Sequence, residues 1–328
     1  MQAAIALKSA GVSPMLIERD GVLGGKLCRW DRLFPCGTRA EEVISPLADA
    51  ISELGIRTVL CGEVSSITSD DRYVEVTLSD GSGYEAEAVV IATGFDIFDA
   101  ALKEEYGYGV YSDVITSADL EDMLRRGEVK RADGSAPESV AILHCIGSRD
   151  RQAGCEHCSR VCCLTGVGQA IAIKKLYPEC RVYDFYTDMR MYGSGHEELY
   201  NEARQRYRID FIRGRVSECS ATTDSRLMLR AEDTLLGRPL RLTVDMVVLL
   251  VGKRAPATNA LFVSSLGIET SSDGFFKGVD RFGGSTVTRR PNIFIAGSAT
   301  GPKSVGESMN EAVAAAMRAA EYVRGLAL

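Results

Sequence analysis

Residues 1 to 19, Met1-Gln-Ala-Ala-Ile-Ala-Leu-Lys-Ser-Ala-Gly-Val-Ser-Pro-Met-Leu-Ile-Glu-Arg19, decide the fold class. Met1 to Ala10 reads as a helix, Gly11 is a residue that closes helices, and Pro14 to Arg19 reads as a short buried strand. A helix followed at once by a strand implies a strand before it. That arrangement is the doubly wound nucleotide-binding unit, in which a first strand and a G-x-G-x-x-G turn seat a pyrophosphate at the helix N-terminus. The strand and turn are expected to lie before Met1, in roughly fifteen further residues. Glu18 stands where an acid binds ribose hydroxyls, and Gly24-Gly25 lets backbone approach a cofactor. A surface acid and a plain turn remain open for these residues taken alone.

Two further segments extend the pattern. Ala88-Val-Val-Ile-Ala-Thr93-Gly94 is a buried strand ending in a small-residue turn, and Tyr73 to Gly81 is a strand running into an Asp-Gly hairpin turn. Near the C-terminus, Asn292-Ile-Phe-Ile-Ala-Gly297-Ser298 is another strand, followed by Thr300-Gly301-Pro302-Lys303 and a long amphipathic helix over about Val305 to Val323. The N-terminus of that helix favours negative charge, such as that of a reduced flavin.

Composition removes other classes. The chain has 328 residues, 45% hydrophobic and 25% charged, which is globular and long enough for two domains. A net charge of -7 with scattered Lys and Arg opposes nonspecific nucleic-acid binding. No apolar run approaches the roughly 20 residues of a membrane helix, and no leader pattern is seen. The expected location is the cytoplasm. In that reducing compartment, clustered cysteines point to metal ligation or redox chemistry rather than structural disulfides.

Five of the ten cysteines fall between Cys145 and Cys163, in CIGSRDRQAGCEHCSRVCC. A nicotinamide domain would carry G-x-G-x-x-G after its first strand; this segment carries Cys-Ile-Gly-Ser-Arg-Asp. Several readings are open. Cys155-Glu-His-Cys158 is a C-x-x-C dithiol, but it leaves Cys145, Cys162 and Cys163 without a role. Structural zinc wants paired knuckles, and adjacent Cys162-Cys163 suits a single ion poorly. Unconnected buried thiols need no function. In an iron-sulfur cubane neighbouring cysteines can reach different irons, and Cys145-x12-Cys158-x3-Cys162-Cys163 supplies the four thiolates it needs.

The order of these segments resembles the thioredoxin-reductase-like flavoproteins, α/β proteins with two Rossmann-like, doubly wound domains. In them a discontinuous FAD domain receives a second NAD(P)-domain-like unit as an insert. The resemblance implies an FAD domain over residues 1–116 and 252–328. The insert would span residues 117–251, with strands at Ser139 to Cys145, Cys180 to Tyr186 and Asp245 to Val251, and a first helix from Val161 to Leu176. Within that group the cysteine spacing is similar to that of the A-type component of heterodisulfide reductase. So are Gly147-Ser148-Arg149-Asp150, Ser159-Arg160-Val161, Tyr106 to Ser117 and Gly301-Pro302-Lys303.

This resemblance implies metal ligands Cys145, Cys158, Cys162 and Cys163 for a [4Fe-4S] cluster. It implies FAD contacts from Glu18, Arg19, Gly24, Gly25, Lys26, Val64, Ala92, Thr93, Gly94, Gly297, Ser298, Lys303, Ser304 and Val305. The function it implies is an oxidoreductase component that passes electrons between FAD and the cluster in sulfur metabolism. It would work within a heterodisulfide-reductase-like complex, with B and C subunits or other electron carriers as partners and a homodimer as its core. The alternative is a self-contained NAD(P)H-dependent disulfide reductase using Cys155 and Cys158.

The chain departs from these relatives in places. It has no C-x2-C-x2-C-x3-C ferredoxin run, and Ser298 stands where many flavoproteins place Asp. Cys155 falls outside the four-ligand pattern. Cys28 and Cys36 lie in a loop expected near flavin, whereas Cys61, Cys180 and Cys219 read as ordinary strand-associated thiols. With three histidines, His144, His157 and His196, acid-base chemistry has few candidates, and the first two neighbour ligands.

Overall fold

Met246–Val251, the run MVVLLV, is buried along its whole length, and Ser139–Ile146 is buried at all but one position. Continuous apolar strands of this kind belong in a parallel sheet covered on both faces. In the computed structural model, which describes residues 1–70 and 72–326, these two strands are neighbours at the centre of a five-stranded sheet. Its order is Val114–Thr116, Met246–Val251, Ser139–Ile146, Arg181–Tyr186, Asp210–Arg213, and every pairing is parallel. The chain moves outward from Ser139–Ile146 in one direction and returns on its other side. The carboxyl end of that strand therefore lies where the strand order reverses, the usual place for a ligand in a doubly wound sheet.

Alternation along the central strand divides the core. Val140 and Ile142 pack with Val167, Ala170, Ile171 and Ile173 of the helix Cys162–Leu176. Ala141 and Leu143 pack with Val216, Leu227, Leu229 and Val244 of a three-stranded antiparallel sheet. This sheet consists of Val216–Ala221, Leu227–Asp233 and Arg238–Val244. This unit comprises Arg29–Ala40 and Ile97–Lys253. The short segment is bound by the Asp31 amide, which donates to Glu121 at 2.8 Å, and by Phe34, whose ring lies where a Cβ on Gly168 would fall, 2.3 Å away.

The other unit gathers Met1–Cys28, Glu41–Asp96 and the chain from Arg254 onward. Gln2–Ser9 and Val305–Leu326 are helices packed on each other. Met15–Ile17 pairs in parallel with Arg57–Val59, and Val89–Ile91 with Ile293–Ile295, joining early and late parts of the chain. Among the described residues these pairs form separate sheets. Val64–Ser69, Val74–Leu78 and Gly83–Ala86 form an antiparallel meander. Its expected turn is present: the Ser82 amide donates to Asp80 at 2.8 Å and Gly81 has φ 87°. Among the described residues no helix is long and apolar enough to cross a membrane.

Asp245 fixes where the central strand begins. Its carboxylate accepts from the Glu138 amide at 2.9 Å, the Ser139 amide at 2.8 Å and Arg226 Nε at 2.8 Å. Burial alone would raise its pKa, but the hydrogen bonds from Ser139 and Arg226 hold it below the ordinary value. Removing such an acceptor leaves buried donors unpaired. Asp245→Ala should therefore lose about 2–4 kcal/mol of stability, read as a lower urea midpoint by circular dichroism.

Candidate functional site

Ser139–Ile146 bends before it ends. Its pairing with Met246–Val251 shifts register between Leu143 and Ile146, and Cys145 takes φ 63°. A β-bulge re-aims the side chain it carries, and a left-handed conformation outside glycine costs about 1–3 kcal/mol. Arg149 at φ 55° and Arg160 at φ 61° share that conformation, so strain gathers in one segment. Gly147, with φ 65°, begins the turn, and a Cβ there would fall 2.0 Å from Phe98. This glycine serves tight packing of the turn.

Hydrogen bonds fold the thiol-rich excursion onto itself. Asp150 and Cys155 form an antiparallel bridge, with amide-to-carbonyl distances of 2.8 and 3.0 Å. Ser148 Oγ donates to the His157 carbonyl and meets Ser159 Oγ, both at 2.9 Å. His157 Nε2 lies 2.8 Å from the Lys253 carbonyl, and the Lys253 amide donates to Ser159 at 2.8 Å. Asp150 is buried in an ion network, 3.0 Å from Lys103 and 2.9 Å from Arg215. Burial would raise its pKa, but Lys103, the Ala153 amide and Arg215 together lower it to about 2.

The four expected ligands, Cys145, Cys158, Cys162 and Cys163, lie between the end of Ser139–Ile146 and the start of the helix Cys162–Leu176. Cys162 hydrogen-bonds Cys163, and Cys145 and Cys158 add their fields at Cys162; this bond, then burial, pushes the Cys162 pKa well up. The same bond draws the Cys163 pKa down, helped by His144. Burial raises the pKa of Cys145, where Cys163 and Cys158 also act. Cys155 sits instead in the bridge with Asp150. Among the described residues no disulfide joins any of the ten cysteines. Among the described residues no three His, Cys, Asp or Glu side chains close on a single ion. The donor chemistry fits a cluster, whose irons are separated and whose usual ligands are thiolates.

Behind the thiols His144 pairs with Asp184, a carboxylate that sequence reading did not single out. His144 Nε2 is 2.9 Å from Asp184 Oδ1, and both side chains are almost completely buried. Burial opposes the imidazolium, but Asp184 raises the His144 pKa well above its ordinary value. The available signal was a lone carboxylate in the apolar strand Arg181–Tyr186. Asp188 is a second missed residue: it binds Arg149 at 2.6 Å, and its carbonyl faces Cys163 Sγ at 3.9 Å. Lys103, far away in sequence, gave no signal.

In the other unit the expected cofactor residues fall at strand ends and turns. Glu18 follows Met15–Ile17 and accepts from the Asp20 amide at 3.0 Å; Arg19 lies 3.9 Å from Asp20. Gly24 has φ 119°, and a Cβ there would fall 2.6 Å from Cys28 Sγ. Gly25 and Gly94, at φ 55° and 77°, have open space where a Cβ would be. Lys26 stands 3.6 Å from Asp96 and 5.3 Å from the Phe95 ring centre. Val64 opens its strand; Ala92 follows Val89–Ile91, and Thr93 Oγ1 lies 3.5 Å from Asn259 Oδ1.

Gly297 takes φ 69° and donates its amide to Glu311 at 3.0 Å, followed by Ser298 in a single turn of tighter helix. Glu311 also binds the buried Lys303, so a helical carboxylate that carried no sequence signal shapes this turn. Ser304 and Glu307 cap the last helix reciprocally, at 2.8 and 3.2 Å, and Val305 is its first residue. Cys36 is exposed, its pKa lowered by the Thr38 hydroxyl; Cys28 donates to the Leu23 carbonyl at 3.1 Å.

Comparison with known proteins agrees with this architecture. Residues 1–319 match the family described as pyridine nucleotide-disulphide oxidoreductase. The chain is 38% identical over 269 residues to the A-type iron-sulfur component of CoB--CoM heterodisulfide reductase from Methanocaldococcus jannaschii, covering 80% of this chain and 40% of that protein. It is 39% identical over 243 residues to the second A-type iron-sulfur component of the same enzyme from Methanopyrus kandleri, covering 72% and 37%. The chain thus spans about two fifths of the curated relatives it matches. In fold it is similar to the thioredoxin reductases of T. acidophilum (TM-score 0.67, 18% identity, 99% and 94% of the two chains) and Lactococcus lactis (0.68, 19%, 99% and 95%). The expected two-dinucleotide-domain fold is therefore present, as is the similarity to the A-type component of heterodisulfide reductase.

Because the Asp150 pKa is depressed on folding, its contribution to stability is present above roughly pH 4 and fades as pH falls toward about 2. Asp150→Asn should lower stability at neutral pH and flatten the acid side of the unfolding profile. Thermal unfolding followed at a series of pH values checks both effects.

Proposed function

From the premise that the chain belongs to the pyridine nucleotide-disulphide oxidoreductase family, we propose that it is the flavin and iron-sulfur electron-transfer component of a heterodisulfide-reductase-like complex. Electrons would pass between FAD and a [4Fe-4S] cluster held by Cys145, Cys158, Cys162 and Cys163. The observation that supports this reading is that Cys145 lies at the bent end of Ser139–Ile146, the strand at which the sheet order reverses, and that Cys162 and Cys163 open the helix Cys162–Leu176. At that position a nicotinamide domain would present a glycine-rich turn to a pyrophosphate.

Bound flavin supplies both one- and two-electron chemistry, whereas a cluster carries one electron at a time. The chain's own residues bind and orient. The Cys163 thiol, already drawn toward its thiolate, is prepared to lose the proton that metal ligation displaces. His144, fixed by Asp184, stands beside it and stabilises its negative charge. On the flavin side, Gly24-Gly25 and Gly94 give close backbone approach. Glu311 holds the turn that leads to the amides of Val305 and Gly306, and these favour negative charge at the helix start.

Partner proteins supply the disulfide chemistry in this proposal, as the names of the relatives, each one component of a larger reductase, suggest. The rival dithiol, Cys155 with Cys158, is disfavoured because Cys155 is buried in its bridge with Asp150.

Anaerobically purified protein should contain flavin and about four irons with matching acid-labile sulfide per chain. Single serine substitutions at 145, 158, 162 or 163 should lose or displace that iron, whereas Cys155→Ser should keep it. Flavin with no iron and rapid bleaching by NADPH would overturn the proposal in favour of a dithiol reductase.

A further inference from the structure

Beside Cys158 the surface opens into a cavity of about 610 Å³ lined by Arg160, Met189, Arg190, Met191 and Tyr192. Its charge runs against that of the whole chain, which is -7. Arg149 and Arg213 flank Asp188 in the same region, at 2.6 and 3.9 Å, so its one carboxylate is already shared between two guanidiniums. Arg160 donates to the Tyr192 hydroxyl at 2.8 Å with its guanidinium 5.7 Å from the ring centre, which holds both side chains at the rim. Arg190 and Tyr192 are exposed, and Met189 and Met191 are half-buried against the core.

We propose that this Arg160–Arg190–Tyr192 rim is the docking surface for an acidic one-electron carrier protein, with Cys158 as the point of electron exchange. The inference rests on the cluster reading above. A guanidinium pair attracts a carboxylate-rich surface and raises the encounter rate, while methionine and an exposed tyrosine give adaptable apolar contact at the centre. Cys158 is the member of the four-thiol set that lines the cavity, which puts its sulfur at the opening. The exchange would move a single electron from the reduced carrier to the cluster that the four thiolates would hold, with no bond made or broken.

The test uses the full chain with its iron, mixed anaerobically in a stopped-flow instrument with a reduced, strongly acidic small ferredoxin as probe. The second-order rate constant should fall as salt rises. Arg190→Glu should lower it by about tenfold or more at low ionic strength, converging with the unaltered protein at high salt. Arg160→Glu should act likewise, and Arg289→Glu, an exposed site in the other unit, should leave the rate unchanged. Iron content is measured for each variant. An iron-replete Arg190→Glu protein reduced at the unaltered rate overturns the docking surface alone. Absence of iron from the unaltered chain overturns the cluster reading and the docking surface together. Inhibition by sulfate beyond that of chloride at equal ionic strength marks a small-anion site and also overturns the proposal.

Discussion

The bend at Cys145 is the constraint from which the rest of the thiol site follows. A strand buried on both faces points alternate side chains into alternate layers, and neither layer leads to solvent or to a ligand. The left-handed turn of one residue breaks that alternation at the end of the strand, where the sheet order reverses. The conformation is unfavourable for a residue with a side chain, so its neighbours must over-determine it. Asp184 and His144 do so from beneath, and Gly147 against Phe98 does so beyond.

Electrostatics separates the two ends of this segment. Lys103 and Arg215 surround Asp150 and keep its carboxylate ionised, fixing the outer hairpin. Around the thiols the balance is finer. A buried imidazole with a raised pKa faces a sulfur with a lowered one, so charge of opposite sign is shared across a short distance in a poorly screened interior. A site built this way favours negative charge on sulfur without asking solvent to stabilise it. The surface cavity opens on the Cys158 side, where the guanidiniums of Arg160 and Arg190 are.

The turns of the other unit rely on backbone more than side chains. Positive φ values at Gly24, Gly25, Gly94 and Gly297 mark its turns, and Glu311 with Lys303 ties the last turn to the long helix. Ser298 therefore stands in a turn whose shape is set by a carboxylate on the next helix, although Asp is missing from the position itself.

The sequence by itself determined what depends on local pattern. Apolar continuity identified the central strands, Asp80-Gly81 a hairpin, and small-residue turns the ends of Val89–Ile91 and Ile293–Ile295. The cysteine spacing singled out four thiols and left Cys155 aside. The expected helix from Val161 and strands from Cys180 and Asp245 differ by one residue from those observed, because caps and not periodicity set an element's end. Tertiary structure alone decided the partners supplied from afar: Asp184 beneath His144, Lys103 with Asp150, Glu311 with Gly297, and the Arg160–Arg190 rim. Pairing of buried charge depends on distance in space, which a linear pattern does not encode. The left-handed bend at Cys145 has the same origin, since only the packing of a finished core can hold a residue in a conformation its own chain disfavours.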